Sequence, residues 1–470
     1  MPIHLNYSEI EILEKINSSR NNYICISIKS NQYTNLVVRF AILVEDDTYI
    51  LYDIKNPAYF FRELLTIVYK KSITIYLYDL KYFFKTLLKN IEKLDIISNF
   101  SDIRIQLYNA LGRHVSLLDD LIISIAKQPF DKKLIEFYEN LFGFRQFSWQ
   151  LIDHSLLDKL VVLELNCLRY VKDVIETKIE NEKDYRKITQ TASLFYAKLE
   201  NTGISIDVDE VDRYGYENIK RYFNEYHKGD STAFVFYEFD KTSTGRLSSS
   251  FHPFQKNKFG SIIKSKFKDG ELMCVDWQCF EFKVLLHRLQ IECKEADPYQ
   301  YIADKINYDR EKTKNNIIKY MYGSVLVDDV VIDELEKRFA LKSKLILEKE
   351  RLINNRTVKT SYNKTIQFKT ESDAQSKSIN NITQSDASFL ITSLVCKLIW
   401  FLEEFKYESK VIATVYDEII LDAKEKEVDS LCNIFKYFSE EDPMLKSNYV
   451  VFTPSIKIGK NLREFETWQQ

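Results

Sequence analysis

Glycine and proline are scarce in this sequence: 470 residues hold 10 of the first and 7 of the second, which excludes a collagen-like chain and a low-complexity one. Cysteine gives no framework either. Cys25, Cys167, Cys274, Cys279, Cys293, Cys396 and Cys432 are an odd, scattered set without a C-x-x-C pair, so they signal neither zinc site nor disulfide scaffold and read as buried thiols. An excess of one charge is also missing, with 66 Lys and Arg against 69 Asp and Glu. A nucleic-acid partner must therefore be sought in local patches. No run reaches the roughly 18 to 20 uninterrupted apolar residues of a membrane span. Met1–Glu9 lacks the basic and apolar regions of a signal peptide. The expectation is a soluble, cytoplasmic protein with no membrane partner.

What is present is apolar and aromatic: 45% hydrophobic residues, with 30 Tyr and 31 Phe, enough for two or three packed units rich in long helices. The runs Y-I-C-I-S-I-K-S from Tyr23, L-V-V-R-F-A-I-L-V from Leu36, T-Y-I-L-Y-D-I from Thr48 and I-T-I-Y-L-Y-D-L from Ile73 have the short apolar or alternating character of strands. Helical spacing follows over Lys81–Leu94, Leu117–Gln128 and Asp153–Tyr196. The first ~190 residues thus form a sheet with helices packed on it. A short polar and aromatic stretch, Asn201–Thr244, separates this unit from a region of short strands and long amphipathic helices. From Lys337 to Lys369 ten Lys or Arg face only Glu348 and Glu350, a phosphate-binding footprint or a helix face balanced by acids elsewhere in the fold.

Four segments of the last region could carry chemistry. In V-I-A-T-V-Y-D-E-I-I-L-D-A two apolar runs flank Tyr416, Asp417 and Glu418, which reads as a hairpin with carboxylates at its tip. In L-M-C-V-D-W Asp276 ends another strand-like run. Two aspartates delivered at strand ends suit two-metal phosphoryl transfer, because Mg²⁺ prefers oxygen ligands, although carboxylates in such places are more often simply solvated. Arg310, Lys314, Ile318 and Tyr322 recur every four residues. On a helix they make one stripe, suited to a triphosphate at its cationic end and a stacked base at Tyr322, or they make an ordinary basic helix. T-S-T-G-R-L-S-S-S offers Arg246 and hydroxyls around the flexible Gly245, for phosphate or sugar contacts or as a plain polar loop.

Taken in order, T-G-R-L-S-S at 244–249, V-D-W-Q-C-F-E at 275–281, R-x-x-x-K with Y-G at 310, 314 and 322–323, Q-x-x-A at 384–387 and V-Y-D-E at 415–418 resemble the motifs of family A DNA polymerases, the bacterial DNA polymerase I type. I-G-K-N-L at 458–462 is similar to that family's terminal Gly-rich strand. The resemblance covers about half the chain, Gly203–Gln470. It implies a multidomain chain of α/β and α+β class, with a right-hand palm and fingers behind an N-terminal RNase H-like exonuclease-type domain. The implied segments are 1–192 for that domain, 193–243 for an abbreviated thumb or connector, 244–294 and 381–470 for the palm, and 295–380 for the fingers. The implied activity is addition of dNTPs to a primer 3′ end on primer–template DNA. Asp276 and Asp417 would hold two Mg²⁺ ions, for which Mn²⁺ can substitute, with Glu418 beside them. Arg310, Lys314, Ile318, Tyr322 and Glu281 would meet the nucleotide, Lys314 also protonating the leaving group and Glu281 serving as a steric gate against ribose. Arg246, Gln255, Asn380, Gln384 and Tyr416 would contact DNA.

The departures carry expectations of their own. Ile318 stands where the family has a stacking aromatic, Tyr416 where it has His, Lys283 where it has Arg, and the Pro-Asn pair is shifted to His252-Pro253. Between Asp207 and Thr244 only 36 residues remain, so the thumb is expected to be rudimentary and synthesis to lean on a processivity or replisome partner. In the first region D-L-K-Y-F-F-K-T-L at 79–87 and L-G-R-H at 111–114 are similar to segments of the family's proofreading domain. Its acids are replaced: Ser27 and Lys29 stand at the first motif, Phe83 at the second, and the third is degenerate near Glu164. No 3′–5′ exonuclease is expected, nor a separate 5′ nuclease domain. Such economy suits a phage, virus or mobile element. The competing readings are a catalytically silent polymerase-like DNA-binding subunit of a replication complex, and a single-subunit RNA polymerase, which Glu281 and T-G-R-L-S-S disfavour.

Overall fold

The computed structural model describes the chain apart from residues 1, 6, 31–36, 92–93, 95–98, 112–151, 180–182, 224–225, 250, 252–257, 325, 354–355 and 468–470. The expected helix at 117–128, most of L-G-R-H and the candidate Gln255 lie outside the described residues. Two compact units divide between Asn201 and Thr202. Leu194 and Ala197, beyond the boundary expected at 192, belong to a core of the first unit.

The first unit is built on a six-stranded sheet in the order Ile3–His4, Asp47–Leu51, Val37–Val44, Tyr23–Ser30, Thr74–Leu77, Phe100–Asp102. Tyr23–Ser30 runs antiparallel to Val37–Val44 and parallel to Thr74–Leu77. One face packs on Phe60, Phe61, Phe83 and Phe84 from the helices Pro57–Lys70 and Leu80–Leu88. The other face packs on Leu157, Leu160, Val161 and Leu168 from the helix His154–Ile179. A sheet covered on both faces needs near-continuous apolar strands, and the pattern from Ile24 to Ser30 is buried throughout.

The second unit centres on a five-stranded antiparallel sheet in the order Lys410–Val415, Glu418–Lys424, Gly270–Trp277, Pro454–Gly459, Phe465–Thr467. Helices and two-stranded sheets surround it. Arg310–Met321 begins at Asp309, whose side chain accepts from the Lys312 amide. It ends at Gly323, which takes φ +73° and leaves no room for a Cβ, since one would meet the Ser376 carbonyl at 2.9 Å. The helix Glu371–Glu404 is capped by Thr370 and spans 34 residues. Its most apolar 18-residue window has a mean hydropathy of 1.5 and is 78% buried within the fold. It is thus long and apolar enough to cross a membrane by length and composition, yet its apolar surface is used as core.

Between Thr357–Lys359 and Thr365–Gln367 a small hairpin packs Val358, Ile366 and Phe368 against Ala374 and Ile382 of that long helix. Among the described residues of 203–243 the longest helix, Val208–Tyr214, has seven residues.

Candidate active site

Asp276 lies near the end of the central strand, whose Leu272–Val275 are buried between the flanking strands. The pair Val275–Ile419 sets the register, and it carries Asp276 alongside Glu418. The strands Lys410–Val415 and Glu418–Lys424 join through Tyr416 and Asp417 alone, with Tyr416 at φ +56°. Three carboxylates therefore gather at one end of the sheet, as the hairpin reading expected for Asp417 and Glu418. Burial, then the charges of Asp417 and Glu418, push the Asp276 carboxyl up to about 7. Burial and Asp417 also raise Glu418, which the Cys274 hydrogen bond and Lys457 partly offset. Asp276 Oδ1 is buried and has no hydrogen-bond partner.

An orphaned carboxylate oxygen beside two further carboxylates fits a hard divalent cation such as Mg²⁺. Among the described residues no three candidate ligands converge into a protein-only cage. Mg²⁺ does not require one, since it is commonly held by one or two carboxylates with waters and substrate phosphates completing its shell.

A second cluster adjoins the first. Arg246 forms an ion pair with Glu281, in the first turn of the helix Phe280–Arg288, and its guanidinium lies 5.4 Å from the centre of the Tyr416 ring. Tyr322 Oη donates to Glu281 Oε2 at 3.2 Å. Gln384 Nε2 donates to Asn380 Oδ1 at 2.9 Å and, at 3.4 Å, to Tyr322 Oη. A cleft is lined by Arg246, Leu247, Glu281, Ser388, Tyr416 and Asp417 among others, so the two clusters share one wall. The structure thus brings together Arg246, Glu281, Tyr322, Asn380, Gln384 and Tyr416, which lie far apart in sequence.

The stripe of Arg310, Lys314, Ile318 and Tyr322 is solvent-accessible along its length, while Thr313, Ile317 and Met321, on the adjoining stripe of the helix, are buried. Lys314 stands 3.8 Å from Glu311. Arg310 Nε donates to Asp297 Oδ2 at 2.7 Å, and Asp297 also caps the helix Pro298–Ile306. Burial raises the Asp297 carboxyl, and the bonds from Arg310, the Gln300 amide and the Cys279 thiol outweigh it, leaving the group below its usual value. Tyr299 is buried beside Arg310, 5.9 Å from ring centre to guanidinium. Its hydroxyl is raised by burial and then by charges that include Cys279 and Asp417. Asp297 and Tyr299 were missed from sequence. The pair Asp297-Pro298 is a readable helix start, but nothing local discloses its partner Arg310.

Other cations turn inward. Lys283 is fully buried and donates to the Ala296 carbonyl at 2.7 Å, and burial lowers its pKa. Within the basic stretch Arg338 pairs with Glu295, Lys344 reaches the carbonyls of Leu289 and Gln290, Arg356 donates to Lys369 O and Lys364 to Ser243 O. In the first unit Lys29 and Glu164 form a buried ion pair at 2.5 Å, and Phe83 is fully buried in the core.

No protein-family model matches the sequence, and no curated protein matches it by sequence. The structure does have a counterpart: it is similar to the POL domain of Pol1 from M. smegmatis, solved in complex with DNA primer-template and dNTP, with a TM-score of 0.74 over 98% of this chain and 99% of that chain. At 11% identity the likeness is one of fold. The chain has a polymerase fold of mixed α/β, multidomain construction.

Proposed function

We propose that this protein is a template-directed DNA polymerase that adds dNTPs to a primer 3′ end. The observation that carries the reading is the buried, unpartnered Oδ1 of Asp276 beside Asp417 and Glu418, in a polymerase fold and next to a cleft that Asp417 lines. Asp276 and Asp417 would hold Mg²⁺ or Mn²⁺, which when bound neutralises phosphate charge and acidifies the attacking hydroxyl. Arg310, oriented by Asp297, and Lys314 bind the triphosphate, and Lys314 donates a proton to the departing pyrophosphate. Glu281, braced by Arg246 and Tyr322, fills the space a 2′-hydroxyl would need. Arg246, Gln255, Asn380, Gln384 and Tyr416 contact the primer–template near its terminus, with Glu418 supporting the metal site and Ile318 and Tyr322 facing the nascent pair.

In this reading 244–294 and 381–470 form the palm, 295–380 the fingers, and 193–243 a reduced thumb. Residues 1–192 are a scaffold derived from an exonuclease domain without its activity, a reading supported by the buried Lys29–Glu164 pair. Extension of a labelled primer with Mg²⁺ and dNTPs tests the proposal. Asp417→Ala should lower the rate by at least ~10²–10³-fold, the scale of removing one preorganised charge-stabilising group. A wild-type chain that binds primer–template but never extends it, with Mn²⁺ or with a partner protein, would instead be a DNA-binding subunit.

A further inference from the structure

The hairpin turn Thr360–Lys364 is tied by separate routes to the loop that carries Arg246 and to the helix that carries Glu281. On one side Lys364, fully buried, donates from Nζ to the Ser243 carbonyl at 3.1 Å, in the loop that carries Arg246. That loop is a tight turn, closed by the Gly245 amide on the Thr242 carbonyl at 3.2 Å and by Thr242 Oγ1 on the Arg246 carbonyl at 3.0 Å. A second clamp comes from the long helix, where Ser388 Oγ donates to the Gly245 carbonyl at 3.0 Å.

On the other side Ser361 donates to both oxygens of Asp386, from its amide at 3.0 Å and its hydroxyl at 2.6 Å. Arg288 donates to Ser361 Oγ and Asp386 Oδ2, each at 2.9 Å, and to Glu348 at 3.0 Å. Arg288 is the last residue of the helix that begins with Glu281 in its first turn. Between the two routes Tyr362 stacks on Phe389 with ring centres 3.6 Å apart, and the hairpin strands are seated on the long helix.

We propose that the turn Thr360–Lys364 is a positioning device that fixes the Arg246 loop against the Glu281 helix, and that Lys364 is a specificity-determining positioning residue acting through Arg246. The inference rests on the polymerase reading of the site for its consequence, though not for its geometry. A rigid turn with two anchored ends holds the guanidinium where the Glu281 carboxylate needs it. Without the Lys364 bond the Arg246 loop loses an external clamp, and the gate that Arg246 braces loosens. The hairpin therefore contributes to sugar selection without touching substrate.

Lys364→Met keeps the aliphatic stem while removing the donor. In the full-length chain it should speed hydrogen exchange at the Gly245 amide by about tenfold, with the amides of Leu272–Val275 unchanged. In primer extension it should raise KM for dNTP, leave kcat within about threefold and relax discrimination against rNTP by about tenfold. The defect should vanish in the Arg246→Ala background, because the two residues act in series. If Lys364→Met does not fold, Ser388→Ala removes the companion clamp and should give the same exchange signature at Gly245. Unchanged exchange at Gly245 in the folded variant overturns the proposal, as does a discrimination defect that persists in full alongside Arg246→Ala. Should the wild type extend no primer at all, the polymerase reading fails, and the exchange measurement still decides whether the turn holds the loop.

Discussion

Burial and two neighbouring carboxylates raise the Asp276 carboxyl to about 7, so the metal-free fold opposes the ionised form its proposed chemistry requires. The folded value lies above the ordinary 3.8, which means the penalty is absent below about pH 4 and grows as pH rises towards 7. Asp276→Asn should therefore stabilise the metal-free protein at pH 8, by no more than the ~4 kcal/mol that three pKa units represent, and the gain should shrink at pH 5 and on adding Mg²⁺. Calorimetry at the two pH values checks it. A variant no more stable than wild type at pH 8 would count against the crowded-carboxylate account. Tyr416 is a second residue under constraint. A side chain at φ +56° costs about 1–2 kcal/mol relative to glycine, offset in part by the extra freedom glycine gives the unfolded chain. Tyr416→Gly is expected to stay within about 1 kcal/mol of wild type while weakening primer–template binding, whereas the β-branched Tyr416→Val should lose both stability and binding.

The first unit's sheet and helix are joined by a buried charge pair. Lys29 on the strand Tyr23–Ser30 and Glu164 on the helix His154–Ile179 are both buried. Removing one partner leaves a buried charge, so Glu164→Ala should cost about 3–5 kcal/mol in urea unfolding, while the double change Lys29→Met with Glu164→Leu should be close to neutral. An equal loss in both would mean the pair acts through packing alone. What was legible in the sequence follows from the same contrast between near and far. The strand at Asp276, the hairpin at Asp417 and the four-residue stripe from Arg310 to Tyr322 are local patterns, fixed by side-chain alternation and helical period. The Lys29–Glu164 pair, the Arg246–Glu281 pair and the Lys364 anchor were not legible, because they depend on which elements pack together. The basic stretch shows the limit of counting. Its ten cations were visible in the sequence, but Arg338, Lys344, Arg356 and Lys364 bind a Glu295 carboxylate or backbone carbonyls, so formal charge overstates the surface open to phosphate.

At the scale of the whole molecule, the proposed reading leaves a reduced thumb between Gly203 and Thr244 to grip a duplex. Two helices of seven and five residues are described there. Fewer phosphate contacts mean a shallower dependence of affinity on salt, at roughly −0.9 in log–log slope per phosphate neutralised. Synthesis should accordingly be distributive, with product length under single-hit conditions short at ~50 mM salt and shorter at ~200 mM, and a partner protein should lengthen it. Primers extended by thousands of nucleotides in one encounter would refute this. One more consequence follows from the 34-residue helix Glu371–Glu404. Along this single rod lie Asn380, which accepts from Gln384, and Gln384, which reaches Tyr322, then Asp386, which meets Arg288, Ser388, which clamps Gly245, and Lys397, which pairs with Asp442. Each residue adds about 1.5 Å and 100° of rotation. A codon inserted or lost after Asn380 would therefore swing every later partner a quarter-turn out of alignment. The spacing of these residues therefore fixes the length of this helix.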